Sequence, residues 1–305
     1  MKFPFDAIRT KIIGVLEFKT KSPIHIGIGG EEVIRDLIRT PREELVIPSS
    51  TWRGAFRNLS EQIAKQTRYK GIAELAVRLY SEEAGRGYRG DGFKKYVEDF
   101  VKTLQGEKSN IIPDEAGEMR SLLMKLGYTP EEIEEVRGKG VGAEKELLET
   151  MAEEYLALHC PIGRLYGNRV IAGKVRFFDS LISVNPEVRA GIGIDRKSGK
   201  VEEKHLYFIK VIPRMGIRLK IIADNLLRGE EDSKLFASTL KLIKTLGISI
   251  GARKSAGLGS LEVDDGKFYV LDVEEDGRNT SLKIGNPLKK VAPISLDEFL
   301  KWLST

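Results

Sequence analysis

Gly251-Ala252-Arg253-Lys254-Ser255-Ala256-Gly257-Leu258-Gly259-Ser260 is a basic, glycine-rich loop near the carboxyl-terminal end of the sequence. Its three glycines permit left-handed backbone and let the chain approach something bulky. Arg253 and Lys254 lie inside the loop, which favours an anionic neighbour. A helical pattern, Ser233 to Leu246, precedes it, and a strand-like run, Leu258 to Val263, follows. Dinucleotide-binding and Walker-type loops have the opposite order: strand, glycines, helix. Context therefore excludes both, and a basic glycine loop feeding a strand points to nucleic acid. Taken alone, the loop also reads as an ordinary tight connection with incidental charges.

Upstream of the loop, Leu235, Phe236, Leu240 and Ile243 put one apolar face on a helix that ends at Gly247. Ile217 to Ile222 reads as a strand, and so does His205 to Ile212, with Leu206, Phe208 and Val211 as its apolar positions. Arg189 to Lys200 is dense in Gly, Arg and Lys with few apolar anchors, as an exposed hairpin or arm would be. Lys174 to Asp179 and Leu181 to Val184 look extended. From about Lys65 to Leu158 the chain is charged and mostly helical, broken at Gly85-Arg86-Gly87 and Gly138-Lys139-Gly140. This middle reads as an insertion or lid, and Glu131 to Glu135 as a solvated acidic face rather than a metal site.

At the amino-terminal end, Ile13, Val15 and Phe18 mark Lys11 to Lys19 as a half-buried strand. Pro23-Ile24-His25-Ile26-Gly27-Ile28-Gly29-Gly30 is a second glycine-rich turn, and Asp36 follows between Arg35 and Arg39. Leu45 to Ile47 is a short strand stopped by Pro48, after which Ser49 or Ser50 can cap a helix. Trp52, Phe56, Leu59 and Ile63 form that helix's core face. Arg53 and Arg57 lie one turn apart on another face, near its positive start. The order is β, α, insertion, β, arm, β, β, α, β. Two strand–helix units around an antiparallel sheet give an α+β chain of ferredoxin-like type.

Composition sets the outer limits. At 305 residues, two lobes or one lobe with large insertions are expected, and 41% hydrophobic residues suffice for a core. No apolar run approaches the roughly 18 residues that span a bilayer, and Met1 to Thr10 lacks a signal peptide's apolar core. Cys160 is the single cysteine, which excludes an internal disulfide and fits a reducing cytoplasm. The net charge of +5 leans toward a polyanionic partner. A 31% charged content with little Cys or Met is the mix of heat-adapted proteins.

Together these blocks resemble the RAMP superfamily of CRISPR-associated proteins, and within it the repeated backbone subunits of type III RNA-targeting effector complexes. The resemblance rests on His25-Ile26-Gly27-Ile28-Gly29, Ile34 to Arg39, and Ile47-Pro48-Ser49-Ser50-Thr51-Trp52-Arg53-Gly54-Ala55-Phe56-Arg57. Cys160-Pro161-Ile162-Gly163-Arg164-Leu165-Tyr166-Gly167, Gly173 to Asp179, Arg189 to Arg196 and Gly251 to Gly259 complete it, in the family's order. Each block is weak by itself, and the long central segment is not covered. Two departures stand out. Pro48 is followed directly by Ser49 where the family often has Gly, and Gly163 stands where some relatives carry a second cysteine, which argues against metal at Cys160.

The resemblance implies an RRM-like palm formed by residues 1–64 and 165–305, a helical insertion over 65–164, and a projecting thumb hairpin around 187–206. It implies CRISPR guide RNA and complementary target RNA as ligands, with other CRISPR-associated subunits and further copies of the chain as partners, and no membrane. His25, Arg35, Arg39, Ser50, Arg53, Arg57, Arg189, Arg196, Lys197, Gly251, Arg253, Lys254, Gly257 and Gly259 are the matching RNA-binding positions. Asp36, reached by counting back from Ile47-Pro48, matches the aspartate that cleaves the target strand with a divalent cation, Mg or Mn, and no organic cofactor. Two other readings stay open. One is a non-catalytic RNA scaffold with Asp36 in a surface ion pair; the other is a metal-independent guide-processing ribonuclease acting through His25.

Overall fold

The computed structural model describes residues 7–27, 34–82, 91–194, 201–273 and 287–305. Apolar alternation makes Thr10–Thr20 a strand, β1, with Ile12, Leu16 and Phe18 buried on one face. The chain continues through β2 (Ile34–Arg35), β3 (Leu45–Ile47) and α1 (Ser49–Gln66). Among the described residues α2 (Gly71–Glu82), α3 (Asp91–Leu104), α4 (Ala116–Leu126), α5 (Pro130–Lys139), α6 (Lys145–Leu158) and α7 (Pro161–Tyr166) follow. Strands return as β4 (Val175–Phe177), β5 (Ser180–Ile182), β6 (Glu187–Ile194), β7 (Val201–Val211) and β8 (Gly216–Asp224). The carboxyl-terminal part holds α8 (Glu231–Leu246), β9 (Ile248–Ser249), β10 (Ser260–Asp272), α9 (Pro287–Lys290), β11 (Ile294–Ser295) and α10 (Leu296–Ser304).

β1 lies between β10 and β8 and is antiparallel to both; the sheet runs β11-β10-β1-β8-β4, with β9 also on β10. In the chain, α1 comes between β1 and β4, and α8 between β8 and β10. This interleaving of two strand–helix–strand halves is an α+β arrangement consistent with a ferredoxin-like fold. On the buried face Phe18 stacks on Trp52 at 5.3 Å, Phe56 meets Phe177 at 4.9 Å, and Phe268 stacks on Phe299 of α10 at 4.0 Å. The other face is laced with ion pairs: Lys11 to Asp224 at 3.0 Å and Glu17 to Arg218 at 2.9 Å.

A smaller sheet, β2-β7-β6, carries the arm. β6 and β7 pair antiparallel as far as Ile194↔Val201. Beyond this pair, residues 195–200, including Arg196 and Lys197, lie outside the described residues. β2 joins β7 in parallel, with Arg35 opposite Ile209. β3 pairs with β5, and the turn into α1 is tied to the same region. The Ser49 amide donates to Asp179 Oδ1 at 2.6 Å, so a carboxylate from a distant strand end, rather than a serine hydroxyl, holds the helix start.

The described chain divides into two compact units. One comprises Leu59–Lys174 and Glu230–Phe236. Its core holds the rings of Tyr96, Phe100 and Tyr155 with Met119, Leu123, Ile133 and Val136. Glu134 pairs with Arg120, and Glu135 with Lys139, as a solvated acidic face should. His159 and Cys160 are buried; His159 Nε2 lies 3.3 Å from Asp114. The unit also buries Arg164, Lys174 and Asp232 completely, with Arg164 Nε donating to Asp232 Oδ2 at 3.1 Å and Lys174 Nζ 2.7 Å from the same oxygen. The other unit, Ala7–Asn58, Val175–Gly229 and Ala237–Thr305, contains the large sheet, the β2-β7-β6 sheet, the β3–β5 pair and the glycine loop. Among the described residues no helix is long and apolar enough to cross a membrane.

Candidate nucleic-acid interface

The two glycine turns that stand far apart in sequence are bonded to each other. The Ala252 amide donates to the His25 carbonyl at 2.8 Å, and the Gly259 amide to the Pro23 carbonyl at 2.9 Å. Both contacts demand glycine. A Cβ on Gly251 would stand 2.5 Å from the His25 carbonyl oxygen, and one on Gly259 would stand 1.9 Å from that of Ile250. Both residues have φ of +79°, which side chains rarely tolerate. Arg253 itself is left-handed at φ 59°, an uncommon state for a non-glycine residue that the flanking bonds sustain. Leu258 from the same loop packs with Ile209 and Val211 of β7.

His25 carries the connection inward. Its ring is 4% exposed, and Nδ1 lies 2.8 Å from the carbonyl of Lys210, so Nδ1 is the nitrogen that donates. Nε2 would stand 2.7 Å from a Cβ on Gly27. The histidine is thus a buried post between the glycine loop and β7. On the other side of β7's backbone, the Lys210 ammonium donates to Asp36 Oδ2 at 2.7 Å, while Asp36 Oδ1 accepts from the Leu37 amide at 2.7 Å. The Lys210 bond, aided by the Leu37 amide and the charge of Arg39, holds the Asp36 carboxyl below the usual carboxylate value against partial burial. The carboxylate is 40% exposed and the lysine 29%, so both charges face solvent.

His25, Asp36 and the glycine loop therefore form one bonded group, and Lys210 is its hub. Arg39 stands near Asp36 but gives its guanidinium to the Glu43 carbonyl at 2.7 Å. Arg35 lies on β2, Arg189 is exposed on β6, and Lys254 and Gly257 lie on the outer turn of the glycine loop. Ser50, Arg53 and Arg57 stand on a different element, the first turns of α1.

Lys210 is the residue that sequence reading missed. Leu206, Phe208 and Val211 were expected as the apolar positions; in the described part of β7 Val211 is buried as expected, together with Ile209, while Phe208 is only half-buried. Side chains alternate along a strand, so Lys210 leaves the face opposite to Ile209 and Val211, on the side of Asp36. Two apolar residues flanking a lysine at alternate positions were the available signal.

A divalent cation was expected at Asp36. In this structure Asp36 Oδ2 accepts from the Lys210 ammonium and Oδ1 from the Leu37 amide. Among the described residues no three His, Cys, Asp or Glu side chains stand together.

A sequence model of the RAMP superfamily matches residues 17–262, from the middle of β1 to the start of β10. No curated protein matches the chain.

Proposed function

The chain belongs to the RAMP superfamily, and from that premise we propose that it is a guide-RNA-binding backbone subunit of a type III CRISPR effector complex that cuts complementary RNA at regular intervals. In this reading the antiparallel sheet with α1 and α8 is the RRM-like palm, and the β6–β7 hairpin is the thumb. The observation that carries it is the bonded group of Asp36, Lys210, His25 and the glycine loop. Four segments distant in sequence use two left-handed glycines and a buried histidine to hold one exposed carboxylate beside cations. A structural ion pair at this exposure adds little stability, so the construction is better explained by a ligand.

The chemistry follows from what RNA itself supplies. When the hairpin splays a target nucleotide, its 2′-hydroxyl can align with the adjacent phosphorus. Attack forms the 2′-oxygen–phosphorus bond and breaks the bond to the 5′-oxygen; the 2′-hydroxyl proton passes to water and the departing 5′-oxygen takes one from water, leaving a cyclic phosphate and a 5′-hydroxyl. Asp36 is fully ionised and a weak base, so its part is to accept a hydrogen bond from the 2′-hydroxyl and orient it. Any divalent cation comes with the RNA phosphates rather than from a protein cage.

The scaffold reading draws on one observation, that Asp36 is already paired with Lys210. Cleavage of complementary RNA by the assembled complex decides between them. Asp36→Asn should stop cutting while guide and target stay bound; cutting at the same positions and rate would leave Asp36 a surface ion-pair residue. Chelator should slow cleavage if a cation accompanies the RNA.

A further inference from the structure

We propose that Lys210 and Phe208 form a nucleotide subsite beside Asp36, with an RNA phosphate on the Lys210 ammonium and a base against the Phe208 ring. The inference rests on the RNA-binding reading above and names residues that it does not assign.

Register is the first argument. Residues 208 and 210 are two apart on β7, so their side chains leave the same face, opposite to the buried Ile209 and Val211. Pairing sets Lys210 against Val188 of β6, which is 59% exposed, and Phe208 against Ala190, also exposed. The strip is therefore a cation next to an aromatic ring, bordered by small or apolar groups and open to solvent. Single-stranded RNA needs those two elements, a positive charge for the backbone and a flat apolar surface for a base.

Rigidity is the second. The Lys210 carbonyl accepts from buried His25, and Leu258 packs beneath β7. The root of the lysine is fixed from below while its head stays open. An ammonium has three N–H groups, and one is given to Asp36 Oδ2. The remaining two can reach a phosphate, and the shared carboxylate then fixes that phosphate's distance from Asp36. An isolated small anion would not explain the ring and the apolar border; a nucleotide explains both.

Equilibrium binding of a single-stranded uridine homopolymer to the purified chain, measured across a salt series, tests this. For Lys210→Gln the slope of log K against log salt should fall in magnitude by about 0.7, one phosphate contact, and Lys210→Arg should restore it. Phe208→Leu should weaken binding roughly fivefold or more at every salt with the slope unchanged, since stacking releases no counterions. Asp36→Asn, which frees the ammonium, should tighten binding, and the gain should vanish when Lys210→Gln is added. An unchanged slope in a Lys210→Gln protein that melts like the wild type overturns the subsite. Should that variant fail to fold, unchanged affinity in both Asp36→Asn and Phe208→Leu overturns it instead. No binding by the wild-type chain would overturn the RNA reading, and this inference with it.

Discussion

At the residue scale, two aspartates with lowered pKa play different parts. Asp36 is held low mainly by Lys210 on an open surface. Asp232 is completely buried: desolvation opposes its charge, but Arg164 and Lys174 keep its carboxyl below the usual value. Two buried cations depend on that one buried anion, with Glu231 half-exposed at 3.9 Å from Arg164. Asp232→Asn should therefore destabilise the fold by roughly 3–5 kcal/mol, because uncompensated charge is left inside; denaturant unfolding measures it. A depressed folded-state pKa stabilises above the unfolded value and is lost as pH falls through the folded one. Stability from Asp232 is thus present at neutral pH and lost only in acid. The same sign for Asp36 means that a pH–rate profile of cleavage should show no limb from its protonation above about pH 4. A limb near pH 6 would assign the titrating group elsewhere. Neither partnership was legible in sequence, since Asp36 and Lys210 are 174 positions apart. The arginines beside Asp36 drew attention because they are neighbours in the chain.

At the element scale, periodicity carried far where an element buries one face against the core. β1, β3, α1 and α8 follow from their apolar spacing within a few residues of the expected ends. It failed where pairing is nonlocal. The parallel joining of β2 to β7 has no sequence signal, because two residues are too few to show a period. The cap of α1 came from Asp179 for the same reason: its donor and acceptor are 130 positions apart. The hairpin offers the clearest test at this scale. Pairing is intact up to Ile194↔Val201, so replacing residues 195–200 with Asn-Gly should close a two-residue turn and leave the thermal midpoint nearly unchanged. Guide binding should persist while regularly spaced cutting of a bound target is lost. Unfolding of this variant would make the tip a core element instead of an arm.

At the scale of the whole molecule, the sheet's open face and the Asp36 group differ in a way that bears on where RNA runs. Charges on the sheet face are matched in sign by their neighbours, Lys11 and Arg176 with Asp224, and Arg218 with Glu17. Arg253 and Lys254 lie on the glycine loop, whose backbone is bonded to the His25 turn. Replacing both with Gln should weaken RNA binding about equally for different sequences and flatten its salt dependence, because phosphate contacts carry no base information. Family membership and the glycine loop were readable from residues alone, as backbone geometry selects glycine wherever it is strained. Glu230–Phe236 returns to the helical unit after an excursion of more than 50 residues, which composition does not record. If the chain is an RNA-binding subunit as proposed, the nucleic acid that it carries when purified with its partner subunits should be ribonuclease-sensitive RNA of discrete length, reduced when Arg253 and Lys254 are neutralised. Protein that is free of RNA, and that binds no single-stranded RNA at low salt, would overturn the RNA-binding proposal.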